Sequence, residues 1–316
     1  MTKDKDFKRV VRDEAKASGR RYSAVRADLR PPTATASVGG DVDDFPATFA
    51  AIVDSVDRAL LGQPDVVRLV TIGVVVGAPM LLTARAGSGR TMLARGVATA
   101  IGATPVSVNG AIDAAPDIAS WSANELVLVD QYDAMSPSHQ AMVMEASRQP
   151  AVLLAGRSPR LAQTPGSLDD ESVGRFVFDV EIGYADEATE LRVLELIRAG
   201  EISTATQIVD IDGLAAMRAT AAAVDMPEDV RRFAVKAIAA TRDDAALAVG
   251  GSMLATASVM QGAAVVAAAD GRTVATVDDA RPLLRPALAH RIAFRDGADG
   301  DVDAVVERAV TAAVER

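Results

Sequence analysis

Leu81-Leu82-Thr83-Ala84-Arg85-Ala86-Gly87-Ser88-Gly89-Arg90-Thr91-Met92-Leu93 decides how the rest of the chain is read. An apolar run ends at Thr83, a small loop with two glycines follows, and a helix is predicted from Arg90. Strand, glycine loop and helix in that order form a phosphate-binding loop of the pattern G-x-x-x-x-G-K-[ST]. Backbone N–H groups of such a loop and the start of its helix point at polyphosphate. Two positions depart from the pattern: Ala84 stands where the first glycine belongs and Arg90 where the lysine belongs.

Downstream, Glu125-Leu126-Val127-Leu128-Val129-Asp130 reads as a buried strand ending in an acid. An acid at the C-terminal end of a strand neighbouring a phosphate loop is a Walker B element, which supports the Mg²⁺ that the loop Thr binds. Thr91 and Asp130 have that chemistry. Gln131 follows, where an ATPase of this layout uses Glu to polarise water; Gln has nearly the same shape but cannot take a proton. The bland alternative is that Asp130 ends a strand and caps the helix beginning near Pro137.

Around these motifs the apolar pattern predicts a buried parallel sheet covered on both faces. Its strands are expected at 80–83, 105–109, 125–130, 151–155 and 175–180, with helices at 90–101 and 137–148 between them. Folded structure is expected from Phe45, with two helices before the first strand. From Glu187 onward only helices are predicted, at 187–199, 211–224, 228–242, 250–269, 278–294 and 301–315. The boundaries implied are a basic tail and linker at 1–44, an α/β core at 45–200 and an all-α domain at 201–316.

The 316-residue chain is 49% hydrophobic but only 3% aromatic, enough for a large core of small side chains. It carries a net charge of −10, and residues 1–30 are basic, so the remainder is more acidic still. An acidic body weighs against nucleic-acid binding by the main fold. No Cys and two His exclude a disulfide framework and a thiolate or His-based metal cluster. The opening MTKDKDFKRVVRDEAK has no apolar core and is no secretory signal, and the uncharged run 252–269 reads as a buried helix rather than a membrane span. The expected location is cytoplasmic. His139 is expected to face solvent and His290 to be packed or hydrogen-bonded. Trp121 is expected to pack over a short connection, and Arg231-Arg232 to lie on a solvated helix face.

Taken in order, the motifs from about 45 to 295 resemble those of the MoxR-type AAA+ ATPases. Leu61-Gly62-Gln63 with Asp65-Val66-Val67 resembles I-G-Q-x-x-V-V, and ARAGSGRTMLAR resembles E-G-x-P-G-x-G-K-T-x-L-A-R. LVLVDQYDAMSPSHQ resembles L-L-A-D-E-I-N-R-A-P-P-K-x-Q, and AVLLAGRSP resembles F-V-I-A-T-Q-N-P. Gly174-Arg175-Phe176 resembles D-R-F, Gly251-Ser252-Met253-Leu254 resembles G-A-S-P-R, and Ala289-His290-Arg291-Ile292 resembles A-H-R-L.

The resemblance implies an AAA+ core with a C-terminal α-helical lid, ATP or ADP bound by Ala86, Gly87, Ser88, Gly89, Arg90, Thr91 and Met92, and Mg²⁺ at Thr91 and Asp130. It implies that Arg175 is the arginine finger acting on a neighbouring subunit's nucleotide. It also places Gln131 at the catalytic Glu, Ser158 at the sensor Asn and Leu254 at the lid's sensor Arg. Inserts typical of the family have no room between Asn109 and Asn124 or between Arg148 and Val152. The reading that follows is a degenerate member, binding nucleotide weakly and hydrolysing it slowly or not at all, as a regulatory or assembly subunit of a homo- or hetero-oligomeric ring with a competent AAA+ partner. Two alternatives stand beside it. One is an active MoxR-type chaperone with a von Willebrand A-type client; the other is a DNA-associated clamp-loader-like subunit, supported only by the basic tail.

Overall fold

The structure, a computed structural model, describes residues 44–112, 117–159, 168, 170–199, 204–298 and 300–314. Residues 39–316 form one compact unit. The expected basic tail and most of the linker lie outside the described residues.

Two helices precede the sheet. Helix α1 (Phe45–Asp57) starts where Asp44 accepts the Ala47 N–H at 3.2 Å, an N-cap that satisfies one of the open amides of the first turn. Helix α2 (Pro64–Val76) opens on a proline, whose missing N–H costs nothing there, and closes on Gly77. The sheet follows: β1 (Met80–Ala84), β2 (Thr104–Asn109), β3 (Glu125–Asp130), β4 (Val152–Arg157) and β5 (Asp179–Ile182), all parallel, in the order β2-β3-β4-β1-β5. Helix α3 (Arg90–Ala100) links β1 to β2, and α4 (Pro137–Glu145), capped by Ser136, links β3 to β4.

Strands β1, β3 and β4 bury both faces, which explains their unbroken apolar sequence, whereas the edge strand β2 is largely exposed and polar in part, so the expected cover does not extend to it. Side chains alternate across a strand. Leu82, Leu126, Leu128 and Leu154 therefore enter a core with α1, α2 and α3, while Leu81, Val127, Val129, Leu153 and Ala155 enter a second core with Trp121, Tyr132, Val143 and Phe176. Trp121 is buried there, over the short connection as expected.

Beyond β5, a short helix α5 (Asp170–Val173) having come before it, the chain is mostly helical: α6 (Glu187–Ala199), α7 (Ile211–Ala222), α8 (Glu228–Arg242), α9 (Met253–Ala269), α10 (Val277–Ala280), α11 (Leu284–Leu288) and α12 (Val302–Val314). Helix α9 is Ala-rich and buried against α1, α2 and α8, so the first core runs on into this region without a break. Among the described residues no helix is long and apolar enough to cross a membrane.

Four further expectations change. The region is not wholly helical: β6 (Leu247–Val249) and β7 (Ala293–Phe294) pair antiparallel, too short to leave an alternating pattern. The single helix at 278–294 is broken into α10, a 3₁₀ turn at Arg281–Leu283 and α11, because Pro282 supplies no N–H to a continuous ladder. The last strand begins at Asp179 rather than Arg175. The carbonyl of Phe176 is taken by side chains instead: His290 Nε2 donates to it at 3.0 Å, and Arg291 donates to it and to Gly174 O at 3.1 Å. Both side chains are buried, as expected for His290. Burial and the neighbouring Arg291 hold the imidazole well below its ordinary pKa, and burial lowers the Arg291 guanidinium to about 10. His139 is half-buried rather than solvent-facing, while Arg231 and Arg232 are exposed as read.

Candidate nucleotide site

At the C-terminal edge of the sheet, the loop 85–89 turns tightly. Ser88 donates through its hydroxyl to Arg85 O at 2.8 Å and through its N–H to the same oxygen at 3.3 Å. Gly87 and Gly89 sit at φ 84° and 95°, a region that disfavours a side chain. A Cβ on Gly89 would also come within 2.5 Å of Leu60 Cδ1. Helix α3 then starts on Gly89 with no side-chain cap, leaving its first amides open to an anion. Ala86 and Gly87 are exposed, Ser88 is buried, and Thr91 and Met92 are exposed on the first turn.

Beside the loop lies a cleft of ≈ 350 Å³ walled by Leu60, Leu61, Met92, Tyr184, Val193 and Leu194, with Gly87, Ser88 and Gly89 at its edge. An apolar slot opening onto free amides suits a planar base at one end and phosphates at the other. The Leu61-Gly62-Gln63 stretch sits in this wall, and Gln63 Nε2 ties it to Gly183 O at 3.2 Å.

The other end of the site is occupied differently. Arg90 does not extend toward the phosphate side. Its guanidinium lies on the Asp130 carboxylate and donates to Arg157 O at 3.1 Å. The side chains are 13% and 31% exposed. Asp130 Oδ1 also accepts the Gln131 N–H at 3.0 Å. Gln131 is a non-glycine residue at positive φ, 54°, turning the chain sharply off β3 into a short 3₁₀ turn; its amide approaches Asn109 Oδ1 at 3.5 Å.

Ser158, just past β4, donates its N–H to Asp133 Oδ2 at 2.8 Å. Burial raises the Asp133 carboxyl, against the pull of that N–H and of Arg157 and Arg90. One strand over, Arg157, Asp179 and Thr83 form a buried cluster. Arg157 Nη2 meets Asp179 Oδ2 at 2.5 Å, Arg157 Nε meets Thr83 Oγ1 at 2.8 Å, and Thr83 donates to Asp179 Oδ1 at 2.5 Å.

The structure thus gathers Gly87, Ser88, Gly89 and Met92 at the cleft, and Arg90, Asp130, Gln131 and Ser158 at the strand ends behind it. It does not bring in Leu254, and Arg175, expected to act on a neighbour's nucleotide rather than here, lies apart. Leu254 is the second residue of α9, 49% exposed and outside the cleft wall. Arg175 borders a separate cleft with Ser138, Met142, Met144 and Glu145, where its guanidinium lies 3.7 Å from Glu145 Oε2 and 3.4 Å from Met144 O.

Sequence reading missed Asp133, Gly156, Arg157 and Asp179. The signal that could have found Arg157 and Asp179 was a charge at the end of an otherwise apolar strand, which needs a buried partner of opposite sign. The groups meant for Mg²⁺, Thr91 and Asp130, do not fit it as they stand. Asp130 Oδ1 already holds a guanidinium and an amide.

A five-stranded parallel sheet in this order, a glycine-bearing loop after β1 and a mostly helical region after β5 give the chain an AAA+-type fold. Residues 239–309 match the AAA lid domain family. The chain is 22% identical over 282 residues to the "Uncharacterized protein YeaC" of Bacillus subtilis, covering 79% of this chain and 88% of that one. Its fold is similar to that of a "putative ATPase" from Cytophaga hutchinsonii, with a TM-score of 0.74 at 16% identity over 86% of this chain and 96% of that one.

Proposed function

We propose that this chain is a MoxR-like AAA+ subunit that holds a nucleotide without turning it over, and that it serves as an assembly or regulatory partner of a competent AAA+ subunit. The carrying observation is the Arg90–Asp130 ion pair. It takes up the acid that an AAA+ ATPase needs for its metal, while the loop amides and the apolar cleft beside them stay open. The cleft takes the base, the amides of Gly87 to Thr91 take phosphate, and residues 45–200 and 201–316 act as core and lid.

Three further features support loss of turnover. Gln131 cannot accept a proton from water, and loss of a general base costs ~10²–10⁴-fold in rate. Ser158 lacks the amide of the sensor Asn it replaces and gives its backbone N–H to Asp133. Leu254 brings no positive charge to the phosphates. In the resemblance Arg175 serves a neighbour's nucleotide in a homo- or hetero-oligomeric ring, and its partial exposure on a separate cleft supports that role here. A von Willebrand A-type client belongs to the same resemblance and is tested by pull-down.

The test is phosphate release by the purified chain with Mg-ATP. The expected rate is below about 10⁻² per second, from a typical ~1 per second lowered by loss of the base. Turnover near one per second contradicts the proposal. The Gln131→Glu variant is expected to stay equally slow, because Arg90 still holds Asp130; recovery of turnover by that single change would assign the loss to Gln131 alone.

A further inference from the structure

Position 156 is a glycine inside the central strand β4, paired in register with Leu82. Glycine weakens a strand interior and marks a place where something approaches closely. Here the approaching atoms are those of the ion pair. A Cβ on Gly156 would stand 2.9 Å from Arg90 Nε, 2.9 Å from Asp130 Oδ1 and 3.0 Å from Arg90 Cδ. The three residues come from three segments: the start of α3, the end of β3 and the end of β4. Their fit is a built feature, with an arginine too large for the lysine's place, an acid to hold it, a missing side chain to admit it and a backbone oxygen, Arg157 O, to fix its far edge. Decay of an unused site would not require a glycine at the point of contact.

We infer that the Arg90 guanidinium is a resident cation in place of Mg²⁺, making this a metal-independent site that takes a nucleoside diphosphate in preference to a triphosphate. The inference rests on the nucleotide-binding reading above. Its physical basis is charge. A divalent metal normally stands between the carboxylate and the terminal phosphates. Arg90 neutralises Asp130 from within the protein, so no second cation is required for the acid to tolerate a nearby phosphate. Two phosphates are served by the loop amides, which carry no metal requirement. A third phosphate would approach an ion pair with no net positive charge, and it finds no Arg at Leu254 to meet it. The arrangement holds a product-like nucleotide and leaves it unchanged.

The experiment titrates a fluorescent ADP analogue onto the full chain in EDTA and in millimolar Mg²⁺, with unlabelled ADP and ATP as competitors. Expected are dissociation constants within about twofold of each other in the two buffers, and ADP competing at least about tenfold better than ATP in EDTA. Tightening of about tenfold or more by Mg²⁺, or equal competition by ATP, overturns the inference while leaving nucleotide binding intact. No binding in either buffer overturns both. Gly156→Thr is expected to expel Arg90 and make binding Mg²⁺-dependent by at least about tenfold. Arg90→Lys, a smaller change for the fold, is expected to do the same. An Arg90→Lys variant as indifferent to Mg²⁺ as the parent overturns the role given to the pair.

Discussion

Two arginine–aspartate pairs lie one strand apart at the same edge of the sheet, and they do opposite things. Arg157–Asp179 is sealed, with side chains 8% and 6% exposed, and Thr83 completes its hydrogen bonds. Arg90–Asp130 is partly open, with side chains 13% and 31% exposed, and its Arg90 Nε is buried without a hydrogen-bond partner among the described residues. The side chains of the first pair tie β1, β4 and β5 together, and only the Arg157 backbone oxygen reaches a candidate nucleotide residue, Arg90. The second uses the residues at the proposed phosphate-loop and Walker B positions. Burial decides the difference. A sealed pair matters because breaking it strands a charge in the core, whereas a partly open pair contributes little to stability and much to what the site can bind.

Removing one partner of the sealed pair gives the largest expected effect. Asp179→Asn leaves the Arg157 guanidinium uncompensated and is expected to lower stability by about 3–5 kcal/mol in urea unfolding. Asp130→Asn, which keeps an amide oxygen for Arg90 at a partly open site, is expected to cost less, about 1–2 kcal/mol, in the same assay. Similar losses for both would erase the distinction between the pairs.

A smaller effect comes from His290. Its folded pKa lies below the ordinary 6.5, so the unfolded chain takes up the proton first as pH falls. Its contribution is therefore complete above pH 6.5 and is lost below it, by up to about 1.4 kcal/mol per pH unit. His290→Gln, which can still donate to Phe176 O, is expected to lose less stability than the parent between about pH 6.5 and 5. Equal slopes would show that the imidazole is not the group responsible.

The smallest concerns Gln131 at φ 54°. Gln131→Gly relieves the left-handed strain and is expected to raise stability by up to about 1 kcal/mol. A loss would mean that the approach to Asn109 outweighs the strain.

The sheet was legible because each of its strands β1, β3 and β4 is an apolar run of the right length between turn residues, and the loop because glycines and Thr91 keep their spacing. The helical region was legible except where local chemistry overrode the pattern. The 3₁₀ turn at Pro282 divides a helix that apolar spacing alone makes continuous, and β6 and β7 are shorter than any period can reveal. The site was legible as a set of positions, not as contacts. Sequence places Arg90 in a lysine's position but not the direction of its side chain. That direction is set by Gly156, far along the chain, whose significance appears only when β4 lies beside β3. Arg157 and Asp179 were hidden for the same reason, since neither charge explains itself without the other.

The central claim, that Arg90 holds the place of the metal, is tested most directly by anomalous X-ray scattering. Crystals of the full chain grown with ADP and Mn²⁺ are predicted to show the Arg90 guanidinium on Asp130 and no anomalous peak between Thr91 and Asp130. A Mn²⁺ peak bound by Thr91 Oγ1, with Arg90 swung away from Asp130, would contradict it.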